Sequence, residues 1–349
     1  MALVALITDV AWTDIHLERA ILAAAGITAV DGSESSDAEL VRLAATADAI
    51  LTCWRTVDAT MLRSADRCVV VSRYGVGLDN IDVPAATELG IVVTNVPDYC
   101  VEEVSDHVLA LLLAQARRLP DLRDQTRAGG WDRNSVEPAR RLSSQTIGLI
   151  GFGRIGRRVA EKASAFGMRV VANTPSRPPG TTVGPVQFVS LPELLASSDY
   201  VSLHAPLTPT NRHLLGRGEL WAMRPGAYLI NTARGALVDT TALVDALECG
   251  RLSGAGLDVL EAEPPIATDV LRRLRGVTLT PHAAFSSVDS IEEVATRAAA
   301  NAVAVLAGEI PDSVVNPEVL RRVNLRRRAG TTAGSGHPVP TATQPSSKP

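Results

Sequence analysis

The sequence predicts an α/β protein made of two doubly wound parallel sheets with a cleft between them, and three observations carry that expectation. Short β-branched runs alternate with helical stretches along most of the chain. A glycine-rich turn stands between a strand and a helix near the middle, and 349 residues exceed one ordinary domain but suit two.

Taken in order, LVALITDV, AILT, CVVVSR and GIVVTN read as strands before residue 97, and TIGLIG, RVVANT, YVSLHAP, AYLINTA, GAGLDV and VTLTPHA as strands after residue 145. Near-continuous apolar runs of this kind mark parallel strands covered on both faces. Between the two series lies VEEVSDHVLALLLAQARR, where Val101, Val104, Val108 and Leu111 fall at helical spacing and predict a helix that separates two sheets. A last helix, SIEEVATRAAANAVAVLAG, is expected to pack back on the first domain. The expected boundaries are therefore 1–97 with 287–325 for one domain and 98–286 for the other, joined by two crossings that form a hinge near 97–100 and 284–288. Residues 326–349, rich in Gly, Pro, Ser and Thr, predict a disordered tail.

A hydrophobic fraction of 46%, a charged fraction of 21% and no apolar run near the roughly 20 residues that span a bilayer predict a cytoplasmic, non-membrane protein. MALVALITDV lacks a basic leader region and suits a first strand rather than a signal peptide. Net charge of −4 and 3% aromatic residues argue against nucleic acid as a partner. Cys53, Cys68, Cys100 and Cys249 stand far apart, so reduced, mostly buried thiols are expected and neither a disulfide framework nor a metal site.

In TIGLIGFGRIG, Gly151, Gly153 and Gly156 take the G-x-G-x-x-G spacing after an apolar strand and at the head of a helix that begins with Arg154 and Ile155. Glycines there allow a tight turn, close approach of a pyrophosphate and close helix packing, and the helix start offers amide donors. This predicts a Rossmann-like dinucleotide site. An acidic residue about 20 positions on would read the ribose 2′-OH of NAD, but the next strand ends in Thr174, Pro175, Ser176 and Arg177. Small hydroxyls and a cation there accept a 2′-phosphate, which leans the cofactor, NAD(P)(H), toward NADP(H).

Three polar residues follow at later strand ends: Arg234 in NTARG, Glu263 in LEAEPP and His282 in TPHAAF. In an open parallel sheet the carboxyl ends of the strands border the ligand crevice, so the three converge beside a nicotinamide. Reduction of a 2-oxo acid needs a forked cation for the carboxylate and a proton donor for the alkoxide, tasks that suit Arg and His; a carboxylate bonded to the imidazole favours its charged form. The alternative for Arg234 is a structural salt bridge with Glu263 or Asp239. His107, His204 and His213 read as structural, His16 and His337 as surface residues.

Through SRYGVGLDNID, GFGRIG, NTARGALVD, DVLEAEP and TPHAAF the chain resembles the D-isomer-specific 2-hydroxyacid dehydrogenases over nearly all of 45–317, with VEEVSDHVLALLLAQARR and GEIPDSVVN resembling the C-terminal-binding-protein and phosphoglycerate-dehydrogenase-like branch. The resemblance implies a flavodoxin-like substrate domain, a Rossmann cofactor domain, and a homodimer through the latter. It matches Arg234 to the substrate-holding arginine, Glu263 to the acidic partner and His282 to the proton carrier. Asp258 matches the aspartate near the nicotinamide carboxamide, and Tyr74, Gly75, Val76 and Gly77 the turn whose amides meet the substrate carboxylate. His204, Ala205 and Pro206, with Thr232 and Ala233, are expected to line the cofactor; Phe285 stands where that branch has tryptophan, and Arg55 is a candidate for a second anionic group on the substrate. Two other readings stay open: a nucleotide-sensing interaction protein with little turnover, and a dehydrogenase of formate or phosphite.

Overall fold

A computed structural model describes residues 2–326; the tail from 327 onward, with His337, lies outside the described residues. Arg326, assigned to the tail by composition, is held instead: its amide donates to the Gly90 carbonyl at 2.9 Å, and its guanidinium donates to the carbonyls of Ala65 and Cys68. The chain divides into two compact units, Met1–Pro97 with the residues from Glu292 onward, and Asp98–Ile291.

The N-terminal unit contains β1 (Leu3–Ile7), β2 (Ile27–Asp31), β3 (Ala49–Thr52), β4 (Val70–Arg73) and β5 (Val92–Thr94), all parallel in the order β2-β1-β3-β4-β5. That order is flavodoxin-like, with its reversal between β1 and β3. At that reversal Asp9 accepts the amides of Cys53 (3.0 Å), Trp54 (2.6 Å) and Arg55 (3.2 Å), which fixes the loop after β3. The helix Val288–Ala307 buries Val294, Ala295, Ala298, Ala299, Ala302 and Leu306, and its Ala298 carbonyl accepts the Ser72 hydroxyl of β4 at 2.8 Å. Small side chains on the buried face let helix and sheet approach closely.

The second unit carries β6 (Thr146–Ile150), β7 (Arg169–Asn173), β8 (Thr182–Val183), β9 (Val186–Phe188), β10 (Tyr200–Leu203), β11 (Ala227–Asn231), β12 (Leu252–Leu257) and β13 (Val277–Leu279) in the order β13-β12-β11-β10-β6-β7-β9-β8. All pairs are parallel except β8 with β9. Alternate residues feed two cores: Leu149, Val170, Tyr228 and Ile230 point to one face, Ile150, Val171, Val201 and Leu229 to the other. Helix Val101–Ala116 buries Val108, Leu109, Leu111 and Leu112 in the first of these cores; a Cβ on Gly256 of β12 would lie 3.0 Å from Leu111 Cβ. Among the described residues no helix is long and apolar enough to cross a membrane. Cys53, Cys68 and Cys100 are buried and unbridged; Cys249 is exposed.

One buried acid in the N-terminal unit has a stability consequence. Glu18 is fully buried, accepts the Trp12 indole N–H at 3.2 Å through Oε1, and leaves Oε2 without a partner. Burial raises its pKa, outweighing the bonds from its own backbone and Trp12 that lower it. An acid whose folded pKa is raised contributes stability below the ordinary carboxylate value, and that contribution is lost as pH rises through the folded pKa. Glu18→Gln, which keeps the acceptor and cannot ionise, is therefore expected to raise Tm at pH 8 by ~2 °C or more, with the gain shrinking at pH 4. Equal melting curves at both pH values would refute this.

Candidate active site

The loops after β6 and β10 meet where the strand order of the second unit reverses, the usual position of a nucleotide in such sheets. Each glycine of the fingerprint has a distinct local reason. Gly151 has φ of 97°, and a Cβ there would lie 2.6 Å from the His204 carbonyl carbon. A Cβ on Gly156 would lie 2.6 Å from the Gly151 carbonyl oxygen, whereas one on Gly153 would meet nothing within 4 Å. The first and last glycines thus pack the helix Arg154–Ala165 against the turn, and the middle one opens a cradle at the helix start. Arg154 and Ile155 form its first turn.

Two buried polar atoms at neighbouring strand ends lack protein partners: His204 Nε2, after β10 and against the cradle, and Thr232 Oγ1, after β11. Burial pushes the His204 imidazole down to about 4, so it is neutral at physiological pH and offers a polar atom rather than a charge. A glycine cradle, a helix N-terminus and orphaned polar atoms are what a dinucleotide requires. Ala205, half-buried, and Pro206, exposed, follow His204, and Ala233 follows Thr232. Beyond β7, the Thr174 and Ser176 hydroxyls lie 3.2 Å apart, and Arg177 stacks 5.5 Å from the Phe188 ring centroid, so its guanidinium is placed rather than loose in solvent.

Arg234, Glu263 and His282 follow β11, β12 and β13, three neighbouring parallel strands, and stand at the same end of the sheet. His282 Nδ1 lies 2.8 Å from Glu263 Oε2, while Glu263 Oε1 accepts the Leu260 amide at 2.7 Å. A carboxylate only accepts, so the neutral imidazole carries its proton on Nδ1. His282 has φ of 53°, a left-handed conformation unusual for a non-glycine residue, held by its amide bonds to the carbonyls of Asp258 (2.8 Å) and Thr280 (3.0 Å).

The Arg234 turn is fixed from below. Buried Asn231 donates to the Arg234 carbonyl at 2.8 Å and accepts the Ala233 amide at 3.0 Å, and Arg234 Nη1 donates to the Ala233 carbonyl at 2.7 Å. A Cβ on Gly235 would lie 1.9 Å from the Leu260 carbonyl carbon, so the loops that carry Arg234 and Glu263 touch through backbone. Asp239 accepts the Ala242 amide at 3.0 Å as a helix cap, and Glu263 holds Leu260 and His282.

Several groups escaped the sequence reading. Glu261 accepts from His213 (2.7 Å), Thr240 (3.1 Å) and Arg212, clasping three loops; burial raises its pKa, but the His213 and Thr240 hydrogen bonds and the nearby cations lower it further, giving a net downward shift. His107, like His213, is held by a side-chain hydrogen bond: its Nε2 lies 3.0 Å from the Thr280 hydroxyl. Asp258, expected beside the nicotinamide, is 2% exposed and accepts the amides of Ala283 and Ala284, both at 2.9 Å, and the Thr280 hydroxyl. It anchors the TPHAA turn. Phe285 packs on Tyr99 with ring centroids 6.3 Å apart.

In the N-terminal unit, Tyr74 and Gly75 are buried, Val76 is 40% exposed and Gly77 is partly exposed, with Gly75 at φ 138°. Arg55 pairs with exposed Asp37 at 2.8 Å and donates to the Ser35 carbonyl at 3.1 Å.

Residues 109–284 match the model of the D-isomer specific 2-hydroxyacid dehydrogenase NAD binding domain. A glyoxylate reductase of Thermococcus litoralis is 41% identical over 272 residues, 76% of this chain and 82% of that protein. A D-lactate dehydrogenase from Aquifex aeolicus, complexed with NAD and lactic acid, superposes with a TM-score of 0.78 at 29% identity, covering 88% of this chain and 96% of that one. An acyclic imino acid reductase in complex with NADPH and D-Arg superposes with a TM-score of 0.81 at 28% identity, covering 90% and 100%. Glycine cradle, strand-end arginine, Glu263–His282 pair and these likenesses together place the chain in the D-isomer specific 2-hydroxyacid dehydrogenase family.

Proposed function

We infer that this dehydrogenase transfers hydride between NAD(P)(H) and C2 of a small 2-oxo or D-2-hydroxy acid, with Arg234, Glu263 and His282 as its catalytic residues. The observation that carries the assignment of roles is the 2.8 Å bond from His282 Nδ1 to Glu263, which leaves Nε2 as the position for the transferred proton. The cradle of Gly151, Gly153 and Gly156 would hold the pyrophosphate of the dinucleotide, whose nicotinamide would supply the hydride. Arg234 holds the substrate carboxylate with its forked donors and polarises the C2 carbonyl. His282 delivers the proton from Nε2 to the carbonyl oxygen and Glu263 stabilises the imidazole in the reactive orientation. In the oxidation direction the same nitrogen accepts the hydroxyl proton.

For the N-terminal unit we propose a carboxylate-binding role for the 74–77 turn, carried by the family resemblance and by the exposure of Val76. Arg55, already paired with Asp37, is a weaker candidate for a second anion than its sequence position suggests. A homodimer through the cofactor unit and a cytoplasmic location complete the proposal; Trp131, 91% exposed in that unit, is a side chain that a partner copy would cover.

The functional test is turnover of glyoxylate, hydroxypyruvate and longer 2-oxo acids, followed at 340 nm with NADH and NADPH in parallel. Cofactor binding without turnover of any of them would favour the nucleotide-sensing reading, and turnover of formate or phosphite alone would favour a dehydrogenase of those donors. The lean toward NADP(H) rests on Thr174, Ser176 and Arg177. Arg177→Ala is expected to raise KM for NADPH by about tenfold while leaving KM for NADH within about twofold, since a charge-assisted bond to the 2′-phosphate is lost only in the first case. Equal effects on both cofactors would remove Arg177 from the discrimination.

A further inference from the structure

We propose that Thr280, held by His107, positions His282 for proton transfer; the inference rests on the role given to His282 above. The Thr280 hydroxyl donates to Asp258 Oδ1, since a carboxylate can only accept. Its single proton is then spent, so the 3.0 Å contact with His107 Nε2 runs the other way, with His107 donating. His107 Nε2 itself lies 3.8 Å from Asp258 Oδ1.

This ordering reaches the reactive imidazole through Asp258. The buried carboxylate also accepts the amides of Ala283 and Ala284, and its backbone carbonyl accepts the amide of His282. His282 therefore sits inside a turn tied to Asp258 by four hydrogen bonds, three to its carboxylate and one to its backbone carbonyl, and these bonds hold its left-handed φ of 53°. The Ala283 and Ala284 amides hold the two carboxylate oxygens, and the Thr280 hydroxyl adds a further bond on Oδ1 that fixes the terminal torsion more tightly. A helix residue 173 positions upstream of Thr280, from Val101–Ala116, thus sets the aim of the proton donor.

Neither Thr280 nor His107 touches the reacting atoms, so the expected signature is a change in kcat rather than in binding. Thr280→Val, equal in shape and without the hydroxyl, is expected to lower kcat about tenfold, with KM for the oxo acid and the cofactor Kd within about twofold. Thr280→Ser should restore kcat to within about twofold of the natural enzyme. In a His282→Ala background, Thr280→Val should cost nothing further, because the residue acts through the missing imidazole.

A folded Thr280→Val enzyme with undiminished kcat, a Thr280→Ser enzyme that is not rescued, or a full tenfold loss in the His282→Ala background would each overturn the proposal. Should Thr280→Val fail to fold, His107→Leu against His107→Gln decides: the first removes the donor and should lower kcat, the second keeps an N–H and should not, and equal rates overturn it. Failure of the underlying reading looks different, as His282→Ala would then retain turnover.

Discussion

Replacing His282 with alanine is expected to lower kcat for oxo-acid reduction by about 10²-fold to 10⁴-fold while leaving cofactor affinity within about twofold. The imidazole is fixed by Glu263 at Nδ1 and by a turn tied to Asp258. Alanine, however, disfavours the left-handed backbone that His282 adopts, and a rate loss alone could reflect a collapsed turn. Asparagine tolerates that backbone better, so His282→Asn removes the proton carrier with less disturbance of the turn. Both variants should lose turnover together. Stopped-flow with a pre-formed cofactor complex checks that the loss lies in the chemical step; either variant keeping more than about a tenth of kcat would exclude His282 as the acid. Glu263→Gln should cost less, about tenfold, since an amide retains an acceptor for Nδ1–H and loses only the charge.

How much of this was legible in the sequence depends on whether the signal is local. The strands buried on both faces were found from their continuous apolar runs, because burial and sequence coincide there. β2 was missed: of ITAVD only Ile27 is buried, so it shows neither a continuous run nor a clean alternation. The β8–β9 hairpin was missed because two- and three-residue strands carry almost no periodicity. Arg234, Glu263 and His282 could be read because each follows a recognisable strand. Glu261, Thr280 and His107 could not, since their partners lie 21 to 173 residues away and nothing in the local pattern marks the contact. Asp258 shows the opposite difficulty: its motif was recognised, but its bonds to Thr280, Ala283 and Ala284 reveal a supporting task that the motif does not specify. The partners of His107 and His213, Thr280 and Glu261, were not legible for the same reason, as a histidine's partner is a tertiary fact.

Arg234→Lys is expected to lower kcat/KM for the oxo acid by about 10²-fold, mostly through a higher KM, even though charge is conserved. A planar guanidinium can meet both carboxylate oxygens, or one of them and the C2 carbonyl, whereas an ammonium is a point charge on a flexible stem. The backbone at Arg234 is extended, with φ of −147°, and the turn around it is fixed by Asn231 and by the contact of Gly235 with Leu260, so a lysine would enter the same turn without distorting it. The comparison therefore isolates the head group. Free guanidinium added to Arg234→Ala should recover part of the lost rate and should do nothing for His282→Asn. If Arg234 served chiefly to hold the protein together, Arg234→Lys would instead lower Tm with kcat/KM within about threefold of the natural enzyme. Measuring both on the same preparation separates a substrate clamp from a structural ion pair, and a rate that survives the loss of the fork would end the clamp.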